Sequence, residues 1–150
     1  MILKEKISAE LKKAMKAGDT LKRDTLRMLE SMIKNAEIEK MKKEEGLTDA
    51  EVIEVMSRAV KQRRDSVEQF EKGNRADLAD KEKKEIEIIS AYLPEQLGEE
   101  KVREIVKEVI AQTGASSKAD MGRVMGQAMG RLKGQADGNA VKKIVEELLV

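Results

Sequence analysis

Apolar residues return every three or four positions along almost the whole 150-residue chain, and no stretch alternates apolar with polar in the manner of a half-buried strand. That period commits the chain to helices, because such stripes share one face only if the backbone turns by about 100° per residue. The expected fold is all-α. Gly18, Gly46, Gly73, Gly98 and Gly114 fall between the periodic stretches, where glycine stops or separates helices. The first helix carries Leu3, Ile7, Leu11 and Met15 on one face and ends at Gly18. Asp19 caps a second, whose stripe of Leu21, Thr25, Leu29, Met32, Ile33 and Ala36 continues toward Met41 before Gly46. Thr48 followed by Glu51 forms a capping box and launches a third, bearing Val52, Val55, Met56, Ala59, Val60, Val67 and Phe70, which Gly73 and Asn74 end. A fourth runs through Leu78, Ile86 and Ile89 to the neighbourhood of Tyr92.

Pro94 is the only proline, and it biases Leu93 away from the helical region. The chain is expected to turn there, separating an N-terminal helical domain of about four helices, residues 1–93, from a small three-helix C-terminal domain, residues 94–150. Beyond the turn, Val102, Ile105, Val106, Val109 and Ile110 mark a helix ending at Gly114. Ser117 is placed to cap the next, with Asp120 in its first turn, and Asp137 to cap the last, which buries Val141, Ile144, Val145 and Leu148.

Composition removes whole classes of chemistry. With no Cys and no His, the chain cannot supply a thiolate nucleophile, a Cys/His zinc site, a disulfide or a Ser-His-Asp triad. No catalytic residue, metal site or cofactor site is assigned. Phe70 and Tyr92 are the only aromatic residues, so a platform for stacking single-stranded bases is also missing. Charged residues make up 39% of the chain but nearly cancel to +1, so net charge selects no partner. No apolar run approaches the roughly 18 residues that span a bilayer, and Met1 leads directly into Lys4, Glu5 and Lys6; no membrane partner and a cytoplasmic location are expected. The clusters Lys40 to Glu45 and Lys81 to Glu85 are mixed in sign and read as solvated helix faces. So do Lys61, Arg63, Arg64 and Arg75, which Asp65, Glu68, Glu71 and Asp77 can neutralise. Ser116-Ser117-Lys118 reads as a helix start rather than an amidase nucleophile and base, since adjacent residues there point in different directions.

Five glycines stand four residues apart near the end of the chain: Gly122, Gly126, Gly130, Gly134 and Gly138. A glycine inside a helix costs roughly 1 kcal/mol relative to alanine, so a run of them needs a compensating close approach of backbone to a partner. With Met121 set at zero on a wheel of about 100° per residue, Val124, Met125, Ala128, Met129 and Leu132 lie within roughly 80° and form the core face. Gly122, Gly126 and Gly130 fall at roughly 100°, 140° and 180°, a smooth groove beside that face, with Arg123 flanking it near 200°. Two partners suit such a strip: a neighbouring helix at short interaxial distance, or the sugar-phosphate backbone of a nucleic acid.

Charge accompanies the glycines. From Ala111 to Val145 the cations are Lys118, Arg123, Arg131, Lys133, Lys142 and Lys143 against only Asp120 and Asp137, an excess of four positive charges where a phosphate-binding surface would need them. Gly134 to Asn139 reads as the turn into the last helix, a C′ glycine followed by an N-cap, and the same turn can present the amides of Gly138 and Asn139 to an anion. Met121, Met125 and Met129 read as core, although stacked methionines also suit an adaptable protein-binding groove.

Several stretches together resemble the YqeY family: Thr25-Leu26-Arg27-Met28-Leu29; Arg64-Asp65-Ser66 with Glu68-Gln69-Phe70; Tyr92-Leu93-Pro94-Glu95-Gln96-Leu97; Asp120-Met121-Gly122-Arg123-Val124-Met125; and Lys133-Gly134-Gln135-Ala136-Asp137-Gly138. They lie in this order across nearly the entire chain. The family's domain is also found as the tail of the B subunit of the tRNA-dependent amidotransferases, where it helps hold the tRNA undergoing transamidation. The resemblance implies a helical N-terminal domain, a small helical C-terminal domain, and structured RNA, tRNA above all, as partner; the glycines and methionines leave open the alternative of a module that docks a helix from another protein. It also implies association with a carbon-nitrogen ligase that uses glutamine as amido donor. Catalysis itself is not implied for this chain, which lacks both a carboxylate-activating ATP cradle and a glutaminase centre.

Overall fold

In the computed structural model, residues 2–132 and 134–149 are described, and among them every regular element is helical. The chain divides into two compact units, Met1–Leu93 and Pro94–Val150. The first holds α1 (Ile2–Ala17), α2 (Thr20–Glu39), α3 (Asp49–Lys72) and α4 (Ala76–Ser90); the second holds α5 (Glu99–Thr113), α6 (Met121–Arg131) and α7 (Gly138–Leu148).

The core of the first unit is built by α1, α2, α3 and the end of α4. Ile7, Leu26, Leu29, Val52, Met56 and Ile89 are wholly buried in it, and Tyr92 and Leu93 pack against it from the chain's exit. Each burial removes apolar side chain from water at about 25 cal/mol per Å², which is what holds otherwise marginal helices in place. The junctions follow local chemistry. Gly18 takes φ +71° after α1, a conformation that favours glycine, and the Asp19 carboxylate then accepts from the Lys22 amide at 3.2 Å to start α2. Asp49, at the start of α3, accepts from the Leu3 amide at 3.2 Å and so satisfies one of the orphan donors of α1.

The reciprocal Thr48–Glu51 capping box is formed. Glu51 does more than cap. Its carboxylate also receives Lys42 at 2.8 Å and Lys40 at 3.0 Å, and these bonds, the one from Lys42 foremost, lower its pKa from an ordinary 4.5 to about 2. The loop between α2 and α3 is thereby tied to the first turn of α3.

Four expectations for this unit need correction. Met15 is 49% exposed, and Ala14 takes the inward position at the end of α1. The stripe of α2 does not reach Met41: the helix stops at Glu39, and Met41 sits at φ +56° and is 92% exposed. Leu26, absent from the expected stripe, is wholly buried. As expected, Gly73 and Asn74 end α3: Gly73 is its C-cap at an ordinary φ of −85°, and Asn74 takes the left-handed conformation at +56°, which asparagine tolerates better than most residues. Arg63, expected on a solvated face, is instead largely covered: it donates to Glu85 at 3.0 Å and to the Ala59 carbonyl at 3.1 Å, with Glu82 4.0 Å away. Burial, and then the nearby Glu85, raise the pKa of Glu82.

In the second unit, Val102, Val106 and Val109 of α5, Val124 and Ala128 of α6, and Val141, Ile144 and Val145 of α7 close a separate core with Leu132 and Leu149. Gly114 ends α5 at φ +68°, and Gly134 follows α6 at +69°. Ser117 does not cap the glycine-bearing helix. A 3₁₀ turn, Lys118–Asp120, intervenes, and the Asp120 carboxylate accepts from the Ser116 amide at 3.1 Å. Asp137 holds the N-cap position of α7 in an extended conformation, but its side chain makes no capping bond. Loops stitch the unit as well: the Leu97 amide donates to the Gln135 carbonyl at 2.8 Å, the single backbone bond among the described residues that joins segments distant in sequence.

Two outcomes test this account of the first unit. Glu51 has a folded pKa below its unfolded one, so its stabilisation is present above about pH 4.5 and is lost as pH falls toward 2. Denaturation midpoints of Glu51→Gln should therefore lose acid sensitivity between pH 4.5 and 2 relative to the parent. Arg63→Met should cost about 2–3 kcal/mol in urea unfolding, because it strands Glu85 and Glu82 against an apolar surface; a cost below about 0.5 kcal/mol would mean the cluster is solvated after all.

Candidate functional site

One edge of α6 has no side chains and no cover. Gly122, Gly126 and Gly130 are all exposed, and a Cβ built on any of them meets no atom within 4 Å. Among the described residues of its own unit, then, no helix packs closely on the strip, and the glycines are not required by packing inside that unit. Beside them Met121, Met125 and Met129 are half-buried against the core of the unit. Gly138, the first residue of α7, is likewise half-buried, with the Met129 Cε 3.9 Å from its notional Cβ.

The candidate cations divide between two flanks. Arg131 donates to Glu108 of α5 at 2.7 Å, so its side of α6 faces α5. Met129, roughly 160° away on the wheel, faces α7, and the glycine strip continues outward from that side to Arg123. On α7, Glu147 pairs with Arg103 of α5 at 2.8 Å, which marks its α5 flank. Lys143 lies about 40° from Glu147, whereas Lys142 lies about 40° from Gly138, on the α6 flank. Arg123 therefore borders the strip and Lys142 stands on the flank of α7 that faces α6, whereas Arg131 and Lys143 stand toward α5. Lys118 is exposed in the 3₁₀ turn just before α6, and Asn139 is exposed in the first turn of α7. Lys133 lies outside the described residues.

Among the described residues no carboxylate pairs with Lys118, Lys142 or Lys143. Arg123 pairs with Asp120 at 3.1 Å across one helical turn, with its side chain 53% exposed. An exposed pair of this kind is worth no more than about 1 kcal/mol, so the guanidinium can exchange its partner for a phosphate at small cost. The local excess of positive charge is smaller than residues 111–145 suggest. Glu108 lies just before that window, and residues 94–150 hold nine cations and nine anions in all. The unit as a whole therefore carries no net positive charge.

Sequence reasoning missed Glu108 as the partner of Arg131, because the two meet across helices and share no local spacing. It also missed that the segment after Pro94 and the Gly134–Gln135 segment touch.

The family described as Yqey-like protein matches residues 4–149. This chain belongs to the YqeY-like family. Curated relatives bear the name Altered inheritance of mitochondria protein 41, mitochondrial. The Lachancea thermotolerans protein is 45% identical over 87 residues, covering 58% of this chain and 46% of the relative. The Kluyveromyces lactis protein is 40% identical over 86 residues, covering 57% and 45%. The chain thus spans about half the length of the curated relatives it matches.

These relatives overturn the expected cytoplasmic location, since each is named as a mitochondrial protein. The expectation rested on surface composition and on apolar run length. No described helix is long and apolar enough to cross a membrane, but neither feature distinguishes one aqueous compartment from another.

If the strip serves nothing inside the fold, filling it should help folding. Gly126→Ala, in mid-helix at an ordinary φ, is expected to raise stability by about 1 kcal/mol, and Gly122→Ala and Gly130→Ala, nearer the helix ends, by less. Urea unfolding reads this directly. A loss of stability at Gly126 would reveal a packing role that the open space contradicts.

Proposed function

We propose that the second unit is a non-catalytic module that holds structured RNA, tRNA in the first instance, by its phosphates. The observation that carries this reading is the bare, uncovered edge of α6, with Arg123 beside it on the same helix, exposed Lys118 in the turn before it and exposed Lys142 on α7. The amides inside α6 are spent on the helix itself, so the strip offers closeness, and the cations supply the attraction. Gly138 and Asn139, in the uncapped first turn of α7, extend the same face; Arg131, Lys133 and Lys143 add long-range field. A chain with Phe70 and Tyr92 as its only aromatics suits helical RNA, read through its backbone, better than splayed single strands. The link to the tRNA-dependent amidotransferases comes from the family resemblance. In carbon-nitrogen ligation this chain would act beside subunits that supply the activation and the ammonia.

A second reading is supported by the half-buried Met121, Met125 and Met129 along the strip: a groove in which the helix of a partner protein lies. It predicts a complex that survives high salt and nuclease.

Fluorescence anisotropy with tRNA across a salt series separates the two. RNA binding should weaken steeply with salt, and the pair Arg123→Ala with Lys142→Ala should lower the log–log slope by roughly 1.5 while leaving helicity unchanged. Gly126→Leu should abolish binding by standing the backbone off. An unchanged slope and affinity in the paired variant would remove these residues from the interface.

A further inference from the structure

We propose that Gln96 is a positioning residue for this face: its carboxamide fastens the segment after Pro94 to the loop between α6 and α7, and so sets how Gly138, Asn139 and Lys142 stand relative to the glycine strip. The functional half of the inference rests on the RNA reading above; the structural half rests on geometry alone.

The Gln96 Nε2 donates to the Pro94 carbonyl at 3.1 Å and to the Gly134 carbonyl at 2.5 Å. Both acceptors are carbonyls, which assigns the amide orientation, and both amide protons are used. One residue further on, the Leu97 amide donates to the Gln135 carbonyl at 2.8 Å, and Leu97 itself packs against the core of the unit. Two adjacent donors thus reach two adjacent carbonyls. Gln135 is held from its other side by its own amide, which donates to the Leu132 carbonyl at 2.8 Å.

This loop needs such a clasp. The helices it joins, α6 and α7, have 11 residues each, too short to be stable alone, and their relative orientation is set by the core and by this connection. The chain leaves α6 through Gly134 at φ +69°, a flexible residue that does not hold a direction by itself. Asp137 adds no side-chain cap to α7. The clasp from Gln96 and Leu97 is what remains to fix the loop, and it joins two of the stretches on which the family resemblance rests.

The test compares the full chain with Gln96→Met, which is similar in size and uncharged but has no amide protons to donate, and with Gln96→Ala. Gln96 is exposed, so helical circular dichroism should be unchanged in both. Hydrogen exchange at Leu97 and at Gln135–Ala140 should accelerate about tenfold, as expected when one stabilising bond is lost. Affinity for tRNA should fall about tenfold with the salt slope unchanged, because no phosphate contact is removed. A reduced slope would make Gln96 a direct contact, and unchanged affinity with accelerated exchange would make the clasp irrelevant to the face; either overturns the positioning role. Unchanged exchange overturns the clasp itself. If the parent binds no tRNA, the RNA reading falls, and exchange alone decides the structural half.

Discussion

Along one edge of α6 the protein forgoes side chains, and the proposed function rests on that. Three glycines in an 11-residue helix forfeit up to roughly 3 kcal/mol against alanine, a sizeable part of the 5–15 kcal/mol by which a small domain is usually stable. Nothing among the described residues of the second unit returns that loss, because the space beside each glycine is open. A close external partner is the reason we propose for it. The half-buried methionines on the inner side of the strip keep α6 anchored in its core even though its other edge contributes nothing to burial.

The two units are held by different means. In the first, long helices bury a continuous core, and polar groups fasten its seams: Glu51 gathers Lys40, Lys42 and Thr48 at one turn, Arg63 binds Glu85, and Lys4 meets the buried Glu37. In the second, three short helices depend on a valine-rich core and on the loop contacts around Gln96, Leu97 and Gln135. On its surface Lys118, Lys142 and Lys143 have no carboxylate paired with them among the described residues.

Much of the fold was legible because its determinants are local. The period of apolar residues announces helices, the Thr48–Glu51 spacing announces a reciprocal cap, and Gly18 and Gly114 do take the left-handed turns that end helices. What could not be read depends on where a helix stops or on what meets across space. Met41 continues the stripe of α2 arithmetically, yet the helix has ended before it. Gly73 and Asn74 are both credible left-handed residues, and the helix end alone decides between them. Ser117 has the right chemistry for a cap but precedes a 3₁₀ turn. At the site, the wheel placed the glycines off the core face, and whether another helix covered them required coordinates. The Arg131–Glu108 pair and the Gln96 clasp, at separations of 23 and 38 residues, leave no periodic trace.

The most direct measurement of the central claim is an amide-resolved NMR titration of the whole chain with tRNA, in which glycine resonances report on both units at once. The account predicts that Gly122, Gly126, Gly130 and Gly138 shift or broaden first, while Gly18 and Gly46 stay in place. Perturbation confined to the first unit, or none at saturating tRNA, would contradict it.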